Sequence, residues 1–332
     1  MPRIDIDPVA PDPAIIGRAA ALLRHGGLVA FPTETVYGLG AHALDAVAVQ
    51  RIYAAKGRPA YNPLIVHLSD QRRALDVVSE WTEPAEELAR AFWPGPLTLV
   101  LPKRPAVPDS VTAGLATVAV RVPVHPVAHA LLIACGIPIA APSANRSMQL
   151  SPTTGRHVEQ SLGSEVDLIL DAGATTLGIE STVIDLTSTI PTLLRPGTIT
   201  VGSIEAVVGS IRIASNARAG DARPSPGMMD RHYSPRARLL LADCSDVDSV
   251  IAHERQHGHR VGALVLKNHA TDGLVRSLHM PRDSAGYASQ LYTALHSLDD
   301  AGCDVIIVER VPDSDEWRGI RDRLQRAAAA PR

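Results

Sequence analysis

The chain has 332 residues, 45% hydrophobic and 20% charged, with a formal net charge of −3, which excludes intrinsic disorder, collagen and coiled coil. Residues 1–210 hold 15 Lys+Arg against 19 Asp+Glu and residues 211–332 hold 17 against 16, so neither half is a nucleic-acid-binding polycation. At about 100–200 residues per domain, two domains are predicted.

The longest apolar run, Val127–Ala144, is broken by His129, Gly136, Pro138 and Pro142 and cannot supply the roughly 20 unbroken residues of a membrane span. The opening MPRIDIDPVAPDP lacks the basic-then-apolar order of a signal peptide, and the cytoplasm is the expected location. Cys135, Cys244 and Cys303 are odd in number and far apart. They are expected as reduced core thiols rather than a disulfide frame or a zinc cluster.

In chain order, Ala14–His25 carries a helical apolar period after Pro13 and stops at Gly26-Gly27, and Leu28–Phe31 reads as a buried strand. The loop PTETVYGLG (Pro32–Gly40) leads to a helix over Asp45–Ala55 and, after KGRPAYNP, a strand over Leu64–Leu68. Thr82 with Glu83, Pro84 and Glu86 marks a helix start. Strands follow over Leu97–Leu101, Thr117–Val122, Ile137–Ala141, Val166–Asp171, Thr182–Leu186 and Thr192–Leu194, with a helix over Pro126–Cys135. Several strands succeed one another without a helix, which predicts a mixed α/β sheet. Periodicity fades over Ser210–Arg238, an expected linker. It resumes with strands Leu239–Ala242, Val261–Leu266 and Val305–Val308 and helices Asp246–Gln256, Ser284–Leu298 and Trp317–Ala329. That alternation predicts a small doubly wound α/β domain.

Neither G-x-x-x-x-G-K-[ST] nor a strand-borne G-x-G-x-x-G is present, so a nucleotide would have to be held without a standard phosphate loop. The loops instead concentrate cations (Lys56, Arg58, Arg121, Arg195) among hydroxyls and amides (Thr33, Thr35, Ser143, Asn145, Ser151, Ser181). Arginine can grip a carboxylate or phosphate with two bonds. No Cys–His or Ser–His–Asp order is evident, which points to catalysis by positioning and charge neutralisation. On composition alone, His67 reads as a core histidine. His253-Glu254-Arg255-Gln256-His257 matches H-E-x-x-H, but Gly258 follows directly and should end the helix, leaving a polar, solvated helix end rather than a zinc site. Arg318, Arg321, Arg323 and Arg326, at helical spacings, read as a solvated face.

Taken in order, FPTETVYGLG, KGRPAYNPLIVH, WPGPLT, TVAVRVP, PIAAPSAN, ESTVIDL and LLRPG resemble the YrdC-like threonylcarbamoyl-AMP synthases, and PGMMDRHYSP before a small α/β domain resembles their long, two-domain type. The resemblance implies a twisted mixed-sheet catalytic domain over residues 10–210, a linker acting as a lid over 211–237 and a Rossmann-like domain over 238–332. It implies condensation of L-threonine, bicarbonate and ATP into threonylcarbamoyl-AMP with release of pyrophosphate, with magnesium entering as the ATP complex. It also implies hand-over of the product to a transferase complex that modifies an adenosine beside the tRNA anticodon.

Carried over residue by residue, the resemblance places the threonine pocket on Thr35, His67, Arg121, the backbone at Ala141, and Ser181. The ATP contacts fall on Arg58, Asn62, Thr117, Ser143, Ser151, Arg195 and Tyr233, with Lys56, Arg58 and Arg195 as the catalytic cations. Where the family reads S-A-N-x-S-G this chain has Met148, so the turn is expected to be rebuilt. Met229 and Asp230 stand where a basic and an aromatic residue follow PGM, and Asp322 where an Asn precedes Arg-Leu. An RNA-binding factor of the same fold without chemistry is the alternative. The acidic balance of residues 1–210 disfavours it, and neither tight nucleic-acid binding nor membrane association is expected.

Overall fold

The computed structural model describes residues 2–214, 232–270 and 272–329. Eleven strands form one sheet: β1 (Arg3–Asp5), β2 (Val29–Phe31), β3 (Gly38–His42), β4 (Ile65–His67), β5 (Leu97–Pro102), β6 (Thr117–Arg121), β7 (Ile139–Ala140), β8 (Leu168–Asp171), β9 (Thr182–Asp185), β10 (Thr192–Arg195) and β11 (Arg212–Ile213). Their order is β1-β8-β2-β3-β7-β4-β6-β5-β9-β10-β11. Parallel pairs such as β4/β6 alternate with antiparallel pairs such as β5/β6 and β9/β10, the mixed sheet that the sequence predicts.

The helices around this sheet are α1 (Pro13–Arg24), α2 (Ala46–Lys56), α3 (Glu83–Phe92), α4 (Asp109–Thr112), α5 (Pro126–Cys135), α6 (Gly155–Leu162) and α7 (Val201–Val208). Each of the longer ones starts on a side-chain cap, as Asp45 accepts from the Val47 and Ala48 amides and Thr82 from the Ala85 amide. Strand alternation sends Ala30, Val66, Val120 and Ala140 into the core beneath α2 and α3. Val29, Phe31, Ile139 and Ala141 face the other way, where α1 and α5 cover them. That second face carries its helices on the β1–β8–β2–β7 side. Over β4, β6, β5 and β9 it bears a small cluster instead, Ile65, Val100, Ala119, Val183 and Leu194. Among the described residues no helix covers this stretch, which includes Ile65 of the pocket lining.

A second, all-parallel sheet has β12 (Arg238–Ala242), β13 (Val261–Val265), β14 (Arg276–His279) and β15 (Val305–Glu309) in the order β12-β15-β13-β14. Of its helices, α8 (Val247–Gln256) packs on one face, and α9 (Ser284–Asp300) and α10 (Arg318–Ala328) on the other. The α9/α10 core also takes in Val36, Leu150 and Ile179 from the first unit, together with Tyr233, so the two units share one apolar cluster. Stacked rings of His157 and His296, with centroids 3.9 Å apart, add to the seam.

Three sequence expectations change. Gly38–His42, read partly as loop, is a strand. Cys135 and Cys303 are buried, whereas Cys244 is only half-buried. Arg323 is buried rather than solvated, with its guanidinium 2.7 Å from Glu180. His253 and His257 are exposed at the end of α8, and Gly258 follows at φ +80°. Glu254 between them is tied to Arg238 and His259. Most of the expected lid, including Met229 and Asp230, lies outside the described residues.

Candidate functional site

Backbone register builds the pocket. His67 and Arg121, the last residues of β4 and β6, are paired across the parallel ladder, and Ile65 lies two residues back on the same face as His67. The β2–β3 loop brings Thr33 and Thr35, the segment after β7 brings Ala141 and Ser143, Ser181 directly precedes β9, and Arg195 ends its antiparallel partner β10. Arg58 follows the left-handed Gly57 that closes α2. Glu180, His232 and Tyr233 complete the wall.

Three guanidiniums, Arg58, Arg121 and Arg195, are thus buried around one pocket, at 8%, 3% and 4% exposure. Arg121 donates from Nε to the Gly95 carbonyl at 3.1 Å, from Nη1 to Thr35 Oγ1 at 3.0 Å and from Nη2 to Glu34 Oε1 at 2.5 Å. A guanidinium has five N–H groups, so two remain for a ligand carboxylate. Arg195 grips Ser181 twice, from Nε to its carbonyl and from Nη2 to its hydroxyl, both at 3.0 Å. Arg58 donates to the carbonyls of Asn62 and Pro63 and pairs with no carboxylate among the described residues. Burial lowers Arg58 to about 10, which still leaves it charged at neutral pH. Burial first and Arg121 second hold His67 down at about 3, so its ring is neutral.

Glu180 is the one carboxylate lining the pocket among the described residues. Burial pushes its pKa up, but Arg323 and Arg195 outweigh burial and leave it below the usual value. It is fully engaged, accepting from the Ser151 hydroxyl, from Tyr292 at 3.1 Å and from Arg323 Nε at 2.7 Å. Tyr233 takes a left-handed backbone, φ 60°. It lies under the Arg323 guanidinium, 5.0 Å from the ring centroid, and with His232 it closes the pocket to a free volume of about 50 Å³.

Of the residues singled out in the sequence, Thr35, His67, Arg121, Ala141, Ser181, Arg58, Ser143, Arg195 and Tyr233 all line this one pocket. Lys56, Asn62, Ser151 and Thr117 do not. Lys56 is buried behind the wall, where Nζ donates to the carbonyls of Ser143, at 2.5 Å, and Asn145. Burial and then Arg58 drive its pKa well below that of a free lysine, so it holds the SAN loop rather than facing the cavity. The Asn62 carbonyl accepts from Arg58, and Ser151 acts on Glu180. Thr117 opens β6 at the strand end opposite Arg121, about 13 Å away along the strand.

Sequence reasoning missed Glu34, Glu180, His232 and Arg323. The available signal was that buried charges are paired or held by hydrogen bonds, and Glu34 and Glu180 sit directly before Thr35 and Ser181 in motifs already singled out. Met148 was expected to rebuild its turn. It instead keeps a left-handed backbone, φ 73°, with its carbonyl accepting from the Ser234 amide at 2.9 Å.

Comparison with known proteins adds to this geometry. Residues 21–197 match the Sua5–YciO–YrdC family, described as telomere recombination, and residues 199–329 match the threonylcarbamoyl-AMP synthase C-terminal domain. The chain is 46% identical over 320 residues to the threonylcarbamoyl-AMP synthase of Bacillus subtilis, covering 94% of this chain and 92% of that one. It is 43% identical to the enzyme of the same name from Pyrococcus abyssi, covering 93% of each. The crystal structure of P. abyssi Sua5 complexed with L-threonine superposes with a TM-score of 0.93 at 41% identity, covering 99% of this chain and 98% of that one.

Proposed function

This chain belongs to the threonylcarbamoyl-AMP synthase family in its two-domain form, and from that membership together with the pocket we infer that it makes threonylcarbamoyl-AMP from L-threonine, bicarbonate and ATP. The observation that carries the reading is the set of three buried guanidiniums around one cavity in which, among the described residues, the one lining carboxylate, Glu180, is already hydrogen-bonded. A reaction that brings a carbamate onto an α-phosphate joins two anions, and fixed cations placed before reaction lower the cost of that approach.

In this reading the threonine amine captures bicarbonate-derived carbon dioxide to form a carbamate. A carbamate oxygen attacks the α-phosphate, the bond to the bridging oxygen breaks, and pyrophosphate leaves. Arg121 receives the threonine carboxylate on its two remaining N–H groups, because Glu34, Thr35 and Gly95 fix its plane. Neutral His67, Ser181 and the Ala141 backbone shape the rest of that subsite. Arg58 and Arg195 face the phosphates, Ser143 flanks them, and Thr117 lies far enough along β6 to meet the nucleoside end. Asn62, Ser151 and Lys56 support these groups from behind.

Magnesium held by the protein does not fit this donor set, since Glu180 is taken by three donors; the ion enters, when it does, on ATP. The free space of about 50 Å³ between the side chains is too small for ATP. We therefore assign His232 and Tyr233 to a closing element over the pocket that moves out to admit ATP and returns to exclude water. We take the catalytic unit to run from about residue 3 to 213 rather than 10–210, since β1 and β11 join its sheet, and the second unit to lie within 238–332. The product passes in the cytoplasm to the transferase that installs threonylcarbamoyl on tRNA adenosine.

Arg121→Ala tests the assignment. The threonine KM should rise at least tenfold more than the ATP KM, and equal effects on both would remove Arg121 from the threonine subsite. Salt-dependent RNA binding without product formation would favour the RNA-binding alternative.

A further inference from the structure

A second group of ligand-type side chains lies at the carboxyl edge of the parallel sheet in the second unit. The chain crosses that sheet from β12 to β13 and β14, then returns to insert β15 between β12 and β13. Helices α8 and α9 lie on opposite faces. In open α/β sheets the crevice outside the strand carboxyl ends, where the winding reverses, is where ligands bind.

Cys244 lies two residues beyond β12, His269 four residues beyond β13, and Glu309 ends β15. Their sulfur, nitrogen and oxygen atoms lie within 4.8 Å of one another, the one such trio among the described residues. His269 Nε2 is 3.3 Å from Glu309 Oε2, close to the edge of about 3.4 Å that bonds of 2.0–2.2 Å give in a tetrahedral zinc site.

The surroundings are those of a held ligand set. His269 Nδ1 is 3.3 Å from Asp248 Oδ1, where carboxylates stand behind metal-binding histidines, and Nε2 shares with Glu309 Oε2 a hydrogen bond that a cation would replace. Glu309 is oriented by the Leu266 and Lys267 amides at 2.6 and 3.0 Å. The side chains of His269 and Glu309 are 5% and 3% exposed, whereas Cys244 is half-buried and gives a way in from solvent.

We propose that Cys244, His269 and Glu309 bind a zinc-class divalent cation, with Asp248 as the positioning residue of His269 and one coordination position open to water or a small anion. Thiolate, imidazole and carboxylate together suit zinc, whereas the all-oxygen ions magnesium and calcium would leave the sulfur unused. Binding would release the Cys244 thiol proton and tie together the loops that follow three strands.

The test is titration of the full, chelator-stripped chain with Co2+ alone, followed by displacement with Zn2+. One equivalent per chain should bind, with a near-ultraviolet thiolate-to-cobalt band and four-coordinate visible bands. Cys244→Ser should remove the thiolate band, and His269→Ala should remove tight binding. The double change His253→Ala with His257→Ala, on the exposed helix end, should alter neither. No stoichiometric binding, a spectrum without a thiolate band, or binding unchanged in Cys244→Ser would overturn the proposal. Should His269→Ala fail to fold, Cys244→Ser decides, since it swaps a half-buried thiol for an isostere. Zinc should raise the thermal midpoint of the unaltered chain and not of that variant, and an equal rise in both would equally overturn the site.

Discussion

His67 is buried and lies beside the Arg121 guanidinium, and both facts disfavour its cation. Its folded-state pKa of about 3 lies below the ordinary 6.5. An unfolded chain therefore takes up a proton there, as pH falls through 6.5, that the folded chain refuses. The associated stability is complete above pH 6.5 and is lost on acidification toward about 3, at about 1.4 kcal/mol per pH unit for one group. His157, lowered to about 3 mainly by burial, acts in the same direction. Urea unfolding between pH 7 and pH 5 should show this fall, and His67→Asn should flatten it by about one proton. Identical slopes for the two chains would mean that the folded state accommodates the imidazolium. At this scale the sequence was informative about donors and poor about their partners. Arg121, Arg58 and Arg195 stood out as cations, but Glu34, which fixes Arg121, and Glu180, which pairs with Arg323, come from loops whose folding no local pattern encodes. Lys56 attracted notice as a rare lysine in a motif, yet burial and two carbonyls give it a scaffolding position.

Helices and strands with a strong period were legible because local chemistry and burial agree there. Pro126–Cys135 is helical over its predicted span, and β4, β5 and β6 end within a residue or two of their expected bounds. The strand β3 was not legible because Gly38-Leu39-Gly40 has poor strand propensity. The reason for glycine is tertiary: a Cβ on Gly40 would lie 2.8 Å from Phe31 and 2.9 Å from Ile139. Helix α6 was missed because its eight residues bury little more than Val158 and Leu162 along an otherwise polar face. The SAN loop keeps a left-handed turn at Met148, φ 73°, at a cost of about 1–2 kcal/mol for an L-residue with a Cβ. Glycine relieves that cost but loses about 0.5–1 kcal/mol of its own chain entropy. Met148→Gly should therefore stabilise the protein by up to about 1 kcal/mol, read from the urea midpoint at unchanged m-value. A loss of stability would show that packing of the Met148 side chain outweighs its backbone strain.

The two units meet across the active site, through a shared apolar cluster and through one buried ion pair. Arg323 comes from α10 of the second unit and Glu180 from the pocket wall of the first, and Tyr233 lies against both Arg323 and Tyr292. The helical spacing of Arg318, Arg321, Arg323 and Arg326 suggested a solvated face, but Arg323 shares its side of α10 with the buried Ile320, Leu324 and Ala327. Only the docking of the two units shows that its partner is Glu180. Arg323→Ala should cost about 3–5 kcal/mol by leaving that carboxylate buried and unpaired, and adding Glu180→Gln should restore a substantial part of the loss. Additive losses in the double variant would show that the two side chains act independently. The same contacts put the second unit directly behind Glu180 and Tyr233, two residues of the pocket wall, so its packing bears on the site from outside. The central claim is that this anion-binding pocket joins a threonine carbamate to the α-phosphate of ATP, and it is tested most directly by pyrophosphate release from the full chain with each substrate omitted in turn. Release that requires ATP, L-threonine and bicarbonate together is the predicted result, and release from ATP that is indifferent to threonine or bicarbonate, or none at all from the folded chain, would contradict it.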